Sequence, residues 1–195
     1  MSDHTTTRDR IVAAADELFY QRGFENTSFA DIAKEVELSR GNFYYHFKTK
    51  DEILAAVIAR RKAGTQAMLD AWTASAPTAI ERLRRFAEML IQNRKSIQRY
   101  GCPVGTLCSE LAKTGHPAQE DAGMIFGQFR SWLRAQFEGL GHRGEADALA
   151  MHLLSRSQGI ATLAHTFHDE AFIHHEVNEI GRWLLSLQQP AGKSR

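Results

Sequence analysis

The segment "LSRGNFYYHFKTK", residues 38–50, decides the fold of the first part of this chain. Ser39 is a residue type favoured at helix N-caps, and it opens a short helix that we expect to end near Phe47. Residues 43–47 are all aromatic or imidazole side chains, and residues 39–50 hold three cations and no acid. The whole chain of 195 residues has a net charge of +1, so any basic surface must be local.

Capping patterns place helix starts on both sides of this segment. Ser28 with Asp31 and Thr49 with Glu52 fit the capping box, in which a hydroxyl and a carboxylate satisfy free N–H groups of the first helical turn. Helices therefore start near residues 28 and 50. A longer helix precedes them, because Ile11 begins an apolar stripe at helical spacing that stops at Gly23. This order of elements is the helix-turn-helix layout.

Apolar residues keep helical spacing through the rest of the chain, and no segment alternates in the manner of a strand. We therefore predict an all-α fold with two domains. An N-terminal three-helix domain with a helix-turn-helix occupies residues 1–52, and a second helical domain occupies residues 53–195. The stripes of the second domain predict helices over residues 78–99, 103–113, 117–139, 145–168 and 171–188.

Composition and motifs exclude several classes of protein. With 43% hydrophobic and 24% charged residues, the chain is typical of globular proteins, and no apolar run reaches membrane-spanning length. No signal-peptide pattern begins the chain, and two cysteines are too few for a disulfide scaffold, so we expect a cytoplasmic protein. There is no HExxH, Gly-rich phosphate loop or Ser/His/Asp constellation. Four histidines near residues 165–175 lack the pattern of a metal site, so we expect no enzyme activity, no metal and no cofactor.

The helix at residues 39–47 has the chemistry of a DNA-reading helix. Arg40 can pair with guanine, Asn42 can pair with adenine, and Gly41 lets the backbone approach a base edge. Hydroxyl groups and ammonium groups at neighbouring helix starts suit phosphates. Phe43 and Phe47 lie four residues apart, on one face of the helix, and are expected in the core. Tyr44 and Tyr45 could also be core residues, which is the alternative to their role as DNA contacts. The predicted DNA-binding residues are Thr27, Ser28, Ser39, Arg40, Gly41, Asn42, Tyr44, Tyr45, His46, Lys48 and Lys50.

The stretch "TSFADIAKEVELSRGNFYYHFKTKDEIL", residues 27–54, together with "FYQRGFENTS", residues 19–28, resembles the DNA-binding domain of TetR-family transcriptional regulators. The resemblance implies a homodimer that binds a palindromic operator on double-stranded DNA. It also implies a C-terminal domain that binds an effector and dimerises through its last two long helices. Glu37 departs from the family pattern, which usually has Gly there. If this position needs a positive φ, Glu37 introduces strain of about 1 kcal/mol.

The C-terminal domain offers candidates for the two roles that the resemblance implies. Large apolar side chains and a few polar ones could line an effector pocket, although each could equally be core. The candidate effector-binding residues are Phe86, Met89, Leu90, Asn93, Cys102, Cys108, Phe126, Phe129, Trp132 and Gln158. The candidate dimer-interface residues, which could instead pack within one chain, are Leu153, Ser157, Ile160, Ala164, Val177, Ile180 and Leu184.

These features predict a repressor that a small-molecule effector releases from its operator. One alternative keeps the DNA binding but makes Cys102 the sensor of oxidants or electrophiles. Cys102 precedes Pro103 at a helix start, where free N–H groups would stabilise a thiolate. A remote alternative is a small-molecule-binding protein or thiol enzyme that has kept a relic helix-turn-helix.

Overall fold

The computed structural model describes residues 6–188, and within this range it contains helices and no strand, so the predicted all-α fold is confirmed. None of these helices is both long enough and apolar enough to cross a membrane. The helices are α1 (Thr7–Arg22), α2 (Phe29–Glu35), α3 (Arg40–His46), α4 (Lys50–Ser75), α5 (Ala79–Gln92), α6 (Arg94–Tyr100), α7 (Pro103–Thr114), α8 (Gln119–Gly139), α9 (Ala146–Phe167) and α10 (Glu170–Ser186).

The chain forms two compact units whose boundary differs from the predicted one at residue 52. Pro103–Ile125 joins the segment that ends at Gly64, and Thr65–Cys102 joins the segment that starts at Phe126. Helix α7 therefore belongs to the unit that contains the helix-turn-helix. This could not be predicted from the sequence, because α7 lies more than fifty residues beyond α3. Its apolar stripe shows that one face is buried, but not in which of the two cores.

The first unit has one hydrophobic core. Ile11 of α1, Ile32 of α2, Ile53 of α4 and Leu111 of α7 are all fully buried in it. Phe43, also fully buried, attaches α3 to this core, and Phe47 follows directly after α3. The prediction that both rings are core residues is confirmed.

In the second unit, α10 packs on α5 and α9, and α6 packs on α9. The helix predicted over residues 78–99 is in fact two helices, since Asn93 ends α5 and precedes α6. The Asn93 side chain donates to the Met89 carbonyl oxygen at 2.9 Å, and the Arg94 guanidinium donates to the Ile91 carbonyl oxygen at 3.1 Å. Both acceptors lie in the last turn of α5, and the Met89 carbonyl oxygen also accepts from the Asn93 N–H at 3.0 Å.

The turn between α2 and α3 contains a non-glycine residue in the left-handed region. Glu37 has a φ of 55°, so the condition under which strain was expected at this position is met. Arg10 of α1 donates to the Val36 carbonyl oxygen at 3.2 Å. Val36 is the C-cap of α2, where a cation is favourable. The turn is therefore held by α1 as well as by its own backbone.

Replacement of Glu37 by glycine should stabilise the protein. Glycine adopts a positive φ without the steric cost that a side chain incurs, and we expect Glu37→Gly to raise the free energy of unfolding by about 1 kcal/mol. Urea denaturation followed by circular dichroism measures it. The matched control is Glu35→Gly, which removes the same side chain from the end of α2 and should destabilise by about 0.5–1 kcal/mol. Equal effects of the two changes would show that Glu37 is not strained.

Candidate nucleic-acid interface

The N-terminal half of α3 presents its polar side chains to solvent. Arg40, Gly41 and Asn42 are exposed in the first turn, and the Ser39 hydroxyl caps the helix by accepting from the Asn42 N–H at 3.4 Å. Apart from its chain neighbours and the backbone of α3 itself, a Cβ atom placed on Gly41 would meet no atom within 4 Å. Nothing inside the protein therefore requires a glycine at this position.

The two tyrosines of α3 differ in their surroundings. Tyr45 is 79% exposed and touches the His46 ring edge-on at 5.2 Å. Tyr44 is 38% exposed, packs on the Phe29 ring at 4.9 Å and carries the Arg40 guanidinium 5.8 Å above its own ring. Tyr44 is thus held in place with its phenol at the surface, whereas the Tyr45 ring projects into solvent.

The start of α2 corrects one predicted contact. Thr27 is fully buried, and its hydroxyl donates to the Gly23 carbonyl oxygen at 2.8 Å, so it cannot reach DNA. Ser28 caps α2, since its hydroxyl oxygen accepts from the Asp31 N–H at 3.1 Å. Its own N–H and hydroxyl both donate to the Asp31 carboxylate at 2.8 and 2.5 Å. These bonds, first from the Ser28 side chain and then from its backbone, lower the pKa of Asp31. Ser28 remains a predicted DNA contact, and both of its hydrogen-bond donors are already bound to the Asp31 carboxylate.

The start of α4 corrects a second predicted contact. The half-buried Lys50 donates to the Phe24 carbonyl oxygen at 2.9 Å, with its ammonium 4.1 Å from the Phe24 ring centroid. It therefore secures the turn after α1 instead of extending towards a phosphate. Lys48 is exposed and donates to the Tyr44 carbonyl oxygen. The predicted second capping box is half-formed: Thr49 accepts from the Glu52 N–H at 3.1 Å, but the Glu52 carboxylate accepts from the Lys48 N–H.

The structure adds one cation that sequence reasoning missed. The guanidinium of Arg8, in the first turn of α1, lies 4.8 Å from the Phe47 ring centroid, and Arg8 is exposed. Its guanidinium therefore lies beside the residue that precedes Lys48 in the chain. Arg8 lies 39 residues before Phe47 in the sequence, and no local pattern signals a contact over that separation.

The predicted effector-binding residues do not form one group. In the second unit, Phe86 and Phe129 are buried and meet edge-on at 5.6 Å. The half-buried Trp132 donates to the Thr73 hydroxyl at 2.9 Å and lies 5.7 Å from the Trp72 ring. Asn93 is exposed at a helix end, which corrects its prediction as a pocket anchor. The remaining candidates there are buried or half-buried, namely Met89, Leu90, Phe126 and Gln158.

Neither cysteine forms a disulfide, and both are half-buried. Cys108 packs against the core of the first unit, which corrects its assignment to an effector pocket in the C-terminal domain. Cys102 directly precedes α7. Among residues 6–188 no group of three or more His, Cys, Asp or Glu side chains could hold a metal ion.

The predicted dimer interface is wrong. All seven residues chosen for it are buried within the single chain, where they form the inward stripes of α9 and α10. Their side chains have no surface to offer a second chain. The outward faces carry a different set, namely Ser155, Gly159, Thr162, Leu163 and Thr166 on α9, and Ala171, His175, Asn178, Arg182 and Leu185 on α10.

Comparison with known proteins identifies the family. Residues 11–57 match the profile of bacterial regulatory proteins of the tetR family, and residues 79–178 match the C-terminal domain of LmrA/YxaF-like transcriptional regulators. The chain therefore belongs to the TetR family of bacterial transcriptional regulators. This family consists of DNA-binding regulators, not enzymes.

Individual relatives agree with this assignment. An HTH-type regulator from the lacX 3' region of Lactococcus lactis is 27% identical over 137 residues, 69% of each chain. QacR of Staphylococcus aureus is 41% identical over 51 residues, which are 26% of this chain and 27% of QacR. A TetR regulator of Legionella pneumophila has the same fold, with a TM-score of 0.80, 24% identity, and coverage of 91% of this chain and 97% of its own.

Lys50 and Lys48 should respond differently to replacement by methionine. Lys50→Met removes a half-buried hydrogen bond and a cation–π contact, and we expect a loss of about 1 kcal/mol of unfolding free energy. Lys48→Met should leave stability within about 0.5 kcal/mol. It should instead make the slope of log affinity for duplex DNA against log salt shallower by about 0.9.

Thermal denaturation and a salt series of fluorescence-anisotropy titrations measure the two effects. The salt slope of Lys50→Met serves as the control and should equal that of the wild type. A shallower slope for Lys50→Met would restore its assignment as a phosphate contact.

Proposed function

We propose that a homodimer of this chain binds a palindromic operator through α3 and that a small-molecule effector releases it, so that the protein acts as a repressor in the cytoplasm. The observation that carries this proposal is the exposed first turn of α3. There Gly41 stands open to solvent between Arg40 and Asn42, with no internal reason to lack a side chain.

The side chains of α3 divide between bases and backbone. Arg40 and Asn42 reach base edges in the major groove, where Arg pairs with guanine and Asn with adenine. Tyr45, which projects furthest, reaches a base or a thymine methyl group. Tyr44, His46 and Lys48 contact phosphates, joined by the exposed Arg8 at the start of α1. Two copies of α3 would read half-sites about 34–36 Å apart, or a multiple of this helical turn.

The outward faces of α9 and α10 are the proposed dimer interface. On α9, exposed residues at spacings of four, three and four form a stripe whose side chains are small: Ser155, Gly159, Thr162 and Thr166. Small side chains permit close approach of a second helix. Leu163 and Leu185 are 43% and 46% exposed and supply apolar area beside this stripe. The family's dimerisation through its last two helices thus uses the faces opposite to those first predicted.

The proposed effector is a small, largely apolar molecule that binds in the second unit. The half-buried Trp132 supplies apolar contact area there, and the half-buried Gln158 supplies a polar group. To release the operator, the effector must bind more tightly to the state in which the two α3 helices do not match the half-sites. Its effect on operator affinity cannot exceed that difference.

The test of DNA reading by α3 is Gly41→Ala. Alanine should raise the free energy of unfolding by up to about 1 kcal/mol, because it favours the helix and meets no atom of the chain. The added methyl group should obstruct the base edges and weaken operator binding at least about tenfold, which corresponds to 1.4 kcal/mol. The operator can be obtained by selection from a random-sequence duplex library and the affinity measured by gel shift.

The matched control is Gly64→Ala, on an exposed and equally open position of α4. It should gain stability without loss of affinity. In the same assay, Arg40→Ala and Asn42→Ala should relax the base preference. Unchanged operator affinity of Gly41→Ala, together with unchanged preference of the other two variants, would show that α3 does not read DNA.

The dimer interface can be tested by a bulky charge in the stripe. Gly159→Arg should convert the dimer to a monomer, because the new side chain occupies the proposed helix–helix contact and buries a charge. Size-exclusion chromatography with light scattering gives the mass. Gly123→Arg on α8 is the control, since Gly123 is also an exposed helical glycine with open space around it, and it should remain dimeric. A dimeric Gly159→Arg protein would place the interface elsewhere.

A further inference from the structure

The turn from α1 to α2 is held by a carboxylate that comes from α7. One oxygen of Glu110 accepts from the Phe24 N–H at 2.9 Å, and the other accepts from the Glu25 N–H at 2.9 Å. A Cβ atom on Gly23 would lie 2.9 Å from the nearer oxygen. Gly23 therefore serves two requirements, its φ of 88° and the close approach of Glu110.

Phe24 is fixed on several sides. While Glu110 binds its N–H, Lys50 of α4 binds its carbonyl oxygen at 2.9 Å. Its buried ring meets Phe19 of α1 and His116, just after α7, edge-on at 5.2 Å each. The turn is thus held by hydrogen bonds from α4 and α7, two helices that lie outside the three-helix DNA-binding segment.

Helix α7 is anchored at its other end as well. Arg61 of α4, whose side chain is only 9% exposed, donates to the Pro103 carbonyl oxygen at 2.5 Å and to the Asp16 carboxylate of α1 at 2.7 Å. Leu107 lies between these two anchors and Leu111 directly follows Glu110, and both side chains enter the core. Glu110 is therefore presented to the turn by a helix that is fixed along its length.

A chain of contacts leads from the turn to the recognition helix. Thr27 ties the residues after the turn back to the Gly23 carbonyl oxygen. Phe29, the first residue of α2, then packs on Phe43 and Tyr44 of α3 at 4.6 and 4.9 Å. A displacement of the turn would therefore move α2, and through Phe29 it would move α3.

We propose that Glu110 is a positioning residue for operator binding: it fixes the turn at Phe24 and Glu25, and through α2 it sets the placement of α3 on DNA. The proposal rests on operator binding by α3. It makes α7 a functional part of the DNA-binding unit, although the family profile for DNA binding ends at residue 57.

The sign of the effect distinguishes positioning from electrostatics. Glu110→Gln removes a negative charge from a DNA-binding unit, and charge alone would make binding to DNA tighter. Loss of position would make it weaker. Because the glutamine keeps one carbonyl oxygen, it can still accept one of the two N–H bonds, so its effect should be smaller than that of Glu110→Ala.

The experiment uses a duplex that the wild-type protein recovers from a random-sequence library, with affinities measured by fluorescence anisotropy at several salt concentrations. We expect Glu110→Gln to bind this duplex about tenfold more weakly, as for loss of a charge-assisted hydrogen bond, and Glu110→Ala more weakly still. The salt slope should stay unchanged, since no phosphate contact is removed. Glu120→Gln, which removes an equal charge from an exposed position of α8, should bind as tightly as the wild type or slightly more tightly.

A merely structural Glu110 would show a lower melting temperature with an affinity within about twofold of the wild type at a temperature where the protein is folded, and this result overturns the proposal. So would tighter binding. Should Glu110→Ala fail to fold, the isosteric Glu110→Gln decides alone. If the wild-type protein recovers no duplex at all, operator binding is itself wrong and the role of Glu110 falls with it.

Discussion

A helix of seven residues is not stable by itself in water, so α3 exists because one of its faces is buried. Phe43 provides that attachment, and Phe47 fixes the chain directly after the last turn. The same register necessarily directs Arg40, Asn42 and Tyr45 away from the core. Burial of two aromatic rings thus decides which side chains are available to DNA. The whole protein is nearly neutral. It can still carry a local basic surface, because the burial of these two rings directs the polar side chains of α3 to one exposed face.

Local signals made the helix-turn-helix predictable. The capping box at Ser28 and the helix end at Gly23 each depend on residues within a few positions of one another. The errors in this region have a common physical cause. Thr27 and Lys50 have the residue types of DNA contacts, but both are held by partners set by the fold, and Lys50 lies 26 residues from its acceptor. The Glu110 contact spans 86 residues, and no spacing rule reaches that far.

The C-terminal part was predictable as helices but not as a site. A stripe of apolar residues on α9 indicates that one face is buried, yet it does not say whether the chain's own core or a second chain covers it. Here the stripe faces the chain's own core. The relatives show a parallel contrast, with 41% identity over 51 residues to one regulator and 27% over 137 residues to another. Residues 79–178 match the C-terminal domain of LmrA/YxaF-like regulators, but that match names no residue that binds an effector.

The negative charge of Glu37 also bears on non-specific binding to DNA. Its exposed carboxylate lies in the turn that leads into α3, and it repels every phosphate backbone equally. Affinity for arbitrary DNA is almost entirely electrostatic, so this charge shortens each encounter with one of the roughly 10⁶–10⁹ competing genomic sites. At the operator, base contacts add free energy that arbitrary sequences do not supply. Glu37 therefore lowers the stability of the turn, but weaker binding to arbitrary DNA leaves more of the protein free to bind its operator.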